Sequence, residues 1–87
     1  MPWTVYILKC ADGTLYTGVT NDLPRRLNQH HDGTGAKYTR GRGPFKLLHT
    51  EQYRTRGRAL KREIEIKGLS RPEKLRLTAK KIPAAKG

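Results

Sequence analysis

The chain has few acidic residues, one cysteine and no long apolar run, and each shortage excludes a class of protein. Only 7 residues are Asp or Glu, against 19 Lys and Arg. Cys10 alone cannot close a disulfide within the chain or supply the several ligands of a zinc site. The longest apolar run, Val5–Leu8, is far shorter than the ~20 residues that cross a bilayer. We therefore expect a cytoplasmic protein with no membrane segment and no signal peptide.

What the chain has in excess is positive charge, +12 over 87 residues. A domain of this size with that charge repels itself unless a polyanion shares its surface. Nucleic acid is the partner that this predicts, and a ribosome or an acidic membrane surface is the competing one. With 34% hydrophobic residues the chain can bury one core. We expect one domain, residues 1–80, followed by a basic tail, residues 81–87.

Hydrophobic periodicity predicts the order of the strands and helices. Residues 3–8 and 15–20 have strand composition on either side of an ADGT turn. A glycine-rich segment, residues 33–44, precedes a third strand at residues 45–53. Helical patterns follow the second and third strands. The predicted fold is α/β, a small, mainly antiparallel three-stranded sheet flanked by helices in the order ββαβαα.

Residues that begin or end helices set the expected boundaries. Asn21 or Asp22 can cap the first helix, and Thr55 can cap the second. Ser70 and Glu73 form a capping box that opens the third helix. Two further residues are expected to end helices, Gly68 the second and Pro83 the third.

Glu63 breaks the amphipathic pattern of the second helix. At about 100° per residue the apolar arc consists of Ala59, Leu60, Ile64 and Ile66. Glu63 and Lys67 fall inside this arc. A buried carboxylate is costly unless it is paired or binds a metal. Two interpretations fit, an i,i+4 ion pair between Glu63 and Lys67 at the rim of the arc, or a metal ligand that lines a cleft.

Five residues form an ordered set along the chain. VYI on the first strand contains Tyr6, and YTG on the second begins with Tyr16. Arg26 and His30 lie one turn apart on the first helix, and Glu63 lies within ALKREIEIK on the second. This arrangement resembles the GIY-YIG nuclease family, above all its small stand-alone bacterial members. The resemblance extends from about residue 3 to residue 77.

The resemblance implies roles for all five residues. Tyr6 and Tyr16 match the paired tyrosines, one near the attacking water and one near the phosphate. Arg26 matches the arginine that steadies phosphate charge, and His30 matches a position near the nucleophile. Glu63 matches the carboxylate that binds one divalent cation, Mg²⁺ or Mn²⁺. The implied activity is metal-dependent endonuclease cleavage of nucleic acid, DNA rather than RNA, in branched or damaged structures of repair or recombination.

Two departures from the family pattern and one alternative accompany this interpretation. Val5 does not reproduce the glycine-isoleucine start of the first motif, which is a common variant, and no asparagine follows Asn28, although several relatives use a later one. The alternative is a basic nucleic-acid-binding module that keeps the fold and cleaves nothing. Selectivity in so short a chain must come from the structure of the nucleic acid or from a partner protein.

The turn between the tyrosines decides whether they share a face of the sheet. A two-residue turn would send Tyr6 and Tyr16 to opposite faces. A three-residue loop, residues 11–13, with Gly13 in a left-handed conformation pairs Tyr6 with Gly18 and puts both rings on one face. Gly18 would then leave open space for a phosphate. The alternative is that both tyrosines are ordinary strand aromatics.

Basic residues around the glycine-rich segment are the candidates for nucleic-acid binding. They are interleaved with an aromatic ring that can stack on a base, as in single-strand-binding proteins. The set consists of Lys37, Tyr38, Arg40, Arg42 and Lys46.

Overall fold

The computed structural model describes residues 2–33, 41 and 43–84. Within these residues there are three strands, β1 (Trp3–Lys9), β2 (Leu15–Thr20) and β3 (Lys46–Tyr53). There are also three helices, α1 (Leu23–His31), α2 (Arg56–Lys67) and α3 (Arg71–Ala84). The chain order is ββαβαα, and the α/β prediction is confirmed. None of the helices in these ranges is long and apolar enough to cross a membrane.

The sheet is antiparallel throughout, with the strand order β2-β1-β3. β1 is therefore the central strand, and every residue from Thr4 to Leu8 is buried. This explains why its sequence is apolar on both faces, since helices cover it on each side. β2 is an edge strand, so one long side of it is free of strand neighbours among the described residues.

The hairpin between β1 and β2 has the predicted three-residue loop. Tyr6 pairs with Gly18, and Leu8 pairs with Tyr16. The Gly13 N–H donates to the Cys10 carbonyl at 2.9 Å, and Gly13 has a φ of 86°, which a glycine adopts without steric cost. The register and the left-handed glycine are confirmed, and the two tyrosines share a face.

The two faces of β1 pack against different helices. Val5 and Ile7 form the core with Ala59 and Ile66 of α2. Side chains alternate along a strand, so Tyr6 points to the other face, where α1 contributes the buried His30. Partly buried residues surround the core, namely Trp3, Leu15, Val19, Tyr53 and Leu77. The site predicted from the tyrosines thus lies on the α1 face, away from the main apolar core.

A β-bulge in the pairing of β1 with β3 was not predicted. Ile7 pairs with His49, but the next residue, Leu8, pairs with Leu47, so Leu48 is the extra residue. A bulge changes which side chains of a strand point to each face. His49 pairs with Ile7 in the regular register beside the bulge, so it shares the α2 face with Ile7.

Most predicted helix boundaries are confirmed. The side chains of Asp22 and Thr55 cap α1 and α2, and Gly68 ends α2. The Ser70 N–H donates to Glu73 at 2.9 Å, which completes the capping box of α3. The predicted stop at Pro83 is wrong, because α3 continues through it to residue 84. Pro83 is the second-last residue of α3, so the helix ends one residue after the hydrogen bond that proline cannot make.

The predicted apolar arc of α2 needs one correction. Ile64 is 70% exposed, whereas Ala59 and Ile66 are fully buried. Glu63 lies four residues after Ala59 and three before Ile66, so it shares their side of the helix. The arc that faces the sheet is therefore narrower than predicted, and it includes Glu63 but not Ile64.

Candidate active site

Tyr6, Tyr16 and His30 form a compact cluster on the α1 face of the sheet. The Tyr6 hydroxyl lies 2.8 Å from His30 Nε2, which is hydrogen-bond distance. The ring centroids of Tyr6 and Tyr16 are 6.2 Å apart, and those of Tyr16 and His30 are 5.2 Å apart. The hairpin register places the two tyrosines, and α1 brings His30 between them.

Gly18 is where the tyrosine rings approach the backbone most closely. A Cβ at this position would lie 2.5 Å from the Tyr6 hydroxyl oxygen and 3.0 Å from the Tyr16 ring. The side chains of Tyr6 and Tyr16 therefore fill the space above Gly18. The prediction that this space lies open for a phosphate is wrong. Glycine is needed here because the Tyr6 ring lies back over its cross-strand partner.

Arg26 joins the cluster one turn before His30. Its Nη1 donates a hydrogen bond to Gln29 at 3.0 Å, and its guanidinium lies near enough to Tyr6 and Tyr16 for both phenols to affect its pKa. Burial alone would lower the pKa of Arg26, but these two phenols raise it. A cavity of about 280 Å³ opens beside Arg26 and reaches the start of α1. Its lining consists of Trp3, Val19, Thr20, Asn21, Asp22, Arg25, Arg26 and Gln29.

The pKa shifts show which atoms hold protons in the cluster. Burial raises the pKa of Tyr6 to about 12, and the nearby charge of Glu63 acts in the same direction. Burial lowers the pKa of His30, helped by the charges of Arg26 and His31. At neutral pH the phenol is therefore protonated and the imidazole neutral. A neutral His30 with its proton on Nδ1 can accept at Nε2 the hydrogen bond that the Tyr6 hydroxyl donates.

Glu63 approaches this cluster from α2, the helix on the other face of the sheet. Its carboxylate lies 3.4 Å from Lys67 Nζ, so the predicted i,i+4 pair is present. The Glu63 side chain is 18% exposed and that of Lys67 is 54% exposed. The carboxylate is also close enough to Tyr6 for its charge to raise the pKa of the phenol. Ion pairing with Lys67 and proximity to the tyrosines therefore coexist.

The donor set around Glu63 restricts which metal it can hold. The described residues contain no group of three or more His, Cys, Asp or Glu side chains able to hold a metal ion. Structural zinc sites need four such ligands. Mg²⁺ is commonly held by one or two carboxylates, with substrate phosphate and water completing its shell. Glu63 as a single carboxylate fits a hard divalent cation of this kind.

The nucleic-acid-binding residues predicted in and after the glycine-rich segment have different outcomes. Lys37, Tyr38, Arg40 and Arg42 lie outside the described residues, so their roles remain predictions. Lys46 is exposed at the start of β3. Its neighbour Phe45 packs near His30 and His31, with ring centroids 5.9 and 5.5 Å away. Lys46 therefore follows a residue that contacts the cluster, and its role also remains a prediction.

A second polar network links β3 to α2, and the sequence did not indicate it. Glu51 accepts hydrogen bonds from Arg62 Nε at 2.8 Å and from the Tyr53 hydroxyl at 2.6 Å. His49 Nε2 lies 2.7 Å from the same carboxylate. Burial would raise the pKa of Glu51, but these partners lower it to about 2. The only signal in the sequence is that residues 49, 51 and 53 alternate on one face of β3.

Comparison with known proteins identifies the family of this chain. A model of the GIY-YIG catalytic domain matches residues 2–76. The chain belongs to the GIY-YIG family. It is 56% identical over 75 residues to a UPF0213 protein of Natronomonas pharaonis, covering 86% of this chain and 88% of that relative. It is 53% identical over 73 residues to a UPF0213 protein of Oceanobacillus iheyensis, covering 84% and 85%.

Two solved structures are similar to the whole domain. The solution structure of a UPF0213 protein from Bacillus halodurans has 49% identity and a TM-score of 0.60, covering 91% of this chain and 84% of that one. The solution structure of a protein from E. faecalis has 38% identity and a TM-score of 0.64, covering 94% and 88%. GIY-YIG proteins are nucleases that generally depend on a metal, so membership implies that the chain binds nucleic acid.

Proposed function

We propose that this protein is a cytoplasmic, metal-dependent endonuclease that hydrolyses phosphodiester bonds in DNA, in branched or damaged structures. The observation that carries the proposal is the cluster of two tyrosines, Arg26 and His30 beside the Glu63 carboxylate. These are the residues that match the catalytic pattern of the family. The net charge of +12 supports a polyanionic substrate.

Arg26 is the group that meets the phosphate. It is half-buried and lines a cavity, so a phosphate can reach its guanidinium from solvent. Its planar donors match two phosphate oxygens at once, a geometry that lysine lacks. Its hydrogen bond to Gln29 and its proximity to both tyrosines hold the guanidinium in place before substrate arrives. We expect Arg26 to neutralise charge that develops on the non-bridging oxygens during attack by water.

Tyr6 and His30 form a proton relay behind Arg26. A phenol with a pKa of about 12 is a poor base unless its own proton can leave. His30 is neutral because its pKa is lowered, so its Nε2 can take the Tyr6 proton as the phenol oxygen takes one from water. Tyr6 is fully buried, so substrate binding must open a path for water to its hydroxyl.

Glu63 holds the divalent cation, which we propose to be Mg²⁺ or Mn²⁺. When bound, the cation supplies positive charge that stabilises the departing oxygen. Glu63 must leave Lys67 to bind it, and the long 3.4 Å contact to a mostly exposed lysine costs little to break. The negative charge of Glu63 also raises the pKa of Tyr6, and that effect weakens once the carboxylate is neutralised.

The domain itself gives little indication of how one nucleic-acid structure is selected over another. The described residues form one small sheet with helices packed on it, and the family match spans residues 2–76. We propose that the shape of the branched DNA, or a protein partner bound beside it, determines where the chain cuts.

A second candidate function is a basic nucleic-acid-binding module that does not cleave. Two observations favour it. Glu63 is paired with Lys67, and Tyr6 has no exposed surface in the free protein. Both features are also expected of an enzyme that completes its site only when substrate binds. Cleavage therefore has to be measured with nucleic acid of the right structure.

The test is incubation of the purified protein with linear, flapped, branched and single-stranded DNA and with matched RNA. Each reaction contains Mg²⁺, Mn²⁺ or a chelator, and binding is measured in parallel. We expect cuts in branched or flapped DNA with metal and none with chelator. Binding without cleavage of any substrate with either metal would favour the binding module instead.

A further inference from the structure

A basic groove runs along the outer side of β2, next to the tyrosine cluster. One cavity of about 290 Å³ is lined by Leu15, Tyr16, Thr17, Lys67 and Lys74. A second, of about 200 Å³, is lined by Thr14, Leu15, Arg71 and Lys74. The two cavities share Leu15 and Lys74, and together we call them the β2 groove. Tyr16 belongs to both the groove and the candidate active site, so the groove begins beside that site.

The side chains that line the groove carry an excess of positive charge. Neither cavity has an acidic residue in its lining. Among the described residues, Arg71 and Lys74 take part in no ion pair, in contrast to Arg62, which pairs with Glu51 and Glu65. Lys67 has one partner, Glu63, at 3.4 Å. Like charges in a concave surface focus the potential and attract anions.

The groove is long enough to contact several phosphates of one strand. The groove extends from Thr14, just before β2, to Thr17 within it, which is about 10 Å at ~3.4 Å per residue. A nucleic-acid strand advances about 3.4 Å along a duplex axis per phosphate, so this length accommodates two or three phosphates.

We propose that the β2 groove binds the sugar-phosphate backbone of the nucleic acid next to the bond that is cut. Lys67, Arg71 and Lys74 each contact a phosphate there. The inference rests on the proposed function for its ligand, and it adds the path by which the strand leaves the active site. It also gives Lys67 a phosphate to bind when Glu63 takes up a cation.

The test compares two double variants with the same loss of charge. Arg71→Ala with Lys74→Ala removes two groove cations, and Lys67 is kept because it contacts Glu63. Arg58→Ala with Lys61→Ala removes two cations of α2 that line a separate cavity beside Tyr53 and Glu65. Both are made in a Glu63→Gln background, so that cutting of the DNA during the measurement is greatly slowed. The dissociation constant of a short fluorescent DNA duplex is measured over a range of salt concentrations.

We expect the groove variant to bind more weakly and to have a log–log salt slope smaller by about 2, at ~0.9 per lost phosphate contact. The control variant should keep the slope of its parent, and Arg71→Lys with Lys74→Arg should restore binding. Equal log–log salt slopes for the groove variant and the control variant would overturn the proposal that the β2 groove binds the backbone. If the wild-type protein binds DNA but never cuts it, the nuclease proposal fails and the comparison of slopes still decides the groove. If the wild-type protein binds no DNA, the nuclease proposal and the groove proposal both fail.

Discussion

At the scale of single residues, the site depends on how closely the two phenols lie against the backbone. Gly18 allows Tyr6 to reach back to His30 Nε2, with the Arg26 guanidinium nearby. The sequence predicted that the tyrosines share a face, because strand register follows from loop length. It did not predict the contact with Gly18, because ring positions depend on packing across the sheet.

Gly18→Ala should displace the Tyr6 ring. The new Cβ would lie 2.5 Å from the Tyr6 hydroxyl oxygen, so the ring or the strand must move. We expect a loss of about 1–3 kcal/mol in the free energy of unfolding, the usual cost of overpacking, together with a loss of cleavage. Urea unfolding and single-turnover rates measure the two effects. Gly57→Ala is the control, because nothing lies within 4 Å of its Cβ, and unchanged behaviour of both variants would contradict the packing.

His30→Gln should remove the acid limb of the pH–rate profile. The relay needs a neutral His30, whose pKa lies below its ordinary value of 6.5 because of burial and the charges of Arg26 and His31. The wild-type rate should therefore fall as pH decreases through that lowered pKa, whereas His30→Gln should be slower by about 10²–10⁴ and lack this limb. The measurement is a single-turnover rate at each pH.

Two controls accompany this profile. His31→Gln should keep the limb and move it to higher pH, because the charge of His31 helps to lower the pKa of His30. Since burial favours neutral His30 in the fold, stability also falls as pH decreases from about 6.5, the unfolded value, towards the folded pKa. Circular dichroism at each pH separates unfolding from loss of rate. An unchanged limb in His30→Gln would rule out the relay.

At the scale of elements, α2 is held against β3 by the Glu51–Arg62 pair. Arg62 precedes Glu63 on the helix, so this pair restrains the rotation of the helix on which Glu63 lies. The helix caps and the capping box were predictable because they are local chemistry within a few residues. The bulge at Leu48 and the Glu51 network were not, because each depends on residues that are distant in sequence.

Glu51→Gln should lower stability at neutral pH and reduce the acid sensitivity of the fold. The pKa of Glu51 is about 2 instead of 4.5, so its contribution is complete above pH 4.5 and is lost as pH falls through 2. The lowered pKa of Glu51 corresponds to a contribution of roughly 3 kcal/mol at most to the free energy of unfolding, at about 1.36 kcal/mol per pKa unit. Urea unfolding at pH 7 and pH 3 measures it.

Glu65→Gln is the matched control for Glu51→Gln. It removes an exposed carboxylate that pairs with the same Arg62 at 3.2 Å. Exposed pairs contribute about 0–1 kcal/mol, so this variant should unfold almost like the wild type at both pH values. Equal free energies of unfolding for the two variants at pH 7 would show that Glu51 does not anchor α2.

At the scale of the whole molecule, the net charge and the family of the fold both indicate a nucleic-acid partner. The net charge of +12 predicts a polyanion, and the family match over residues 2–76 implies nucleic acid. Composition indicated that partner without locating its binding surface, since charge alone does not say which cations share a groove. The β2 groove exists only in the folded chain, because the fold brings the end of α2 and the start of α3 beside β2.

The most direct test of the central claim compares Glu63→Gln with Glu65→Gln in single-turnover cleavage. Both variants remove one carboxylate from α2 and are purified in the same way as the wild type. We predict that Glu63→Gln binds DNA like the wild type but cuts it more slowly by a factor on the order of 10²–10³, the loss typical of one transition-state charge stabiliser. Glu65→Gln should cut normally. If Glu63→Gln cuts as fast as the wild type, the activity does not belong to this site.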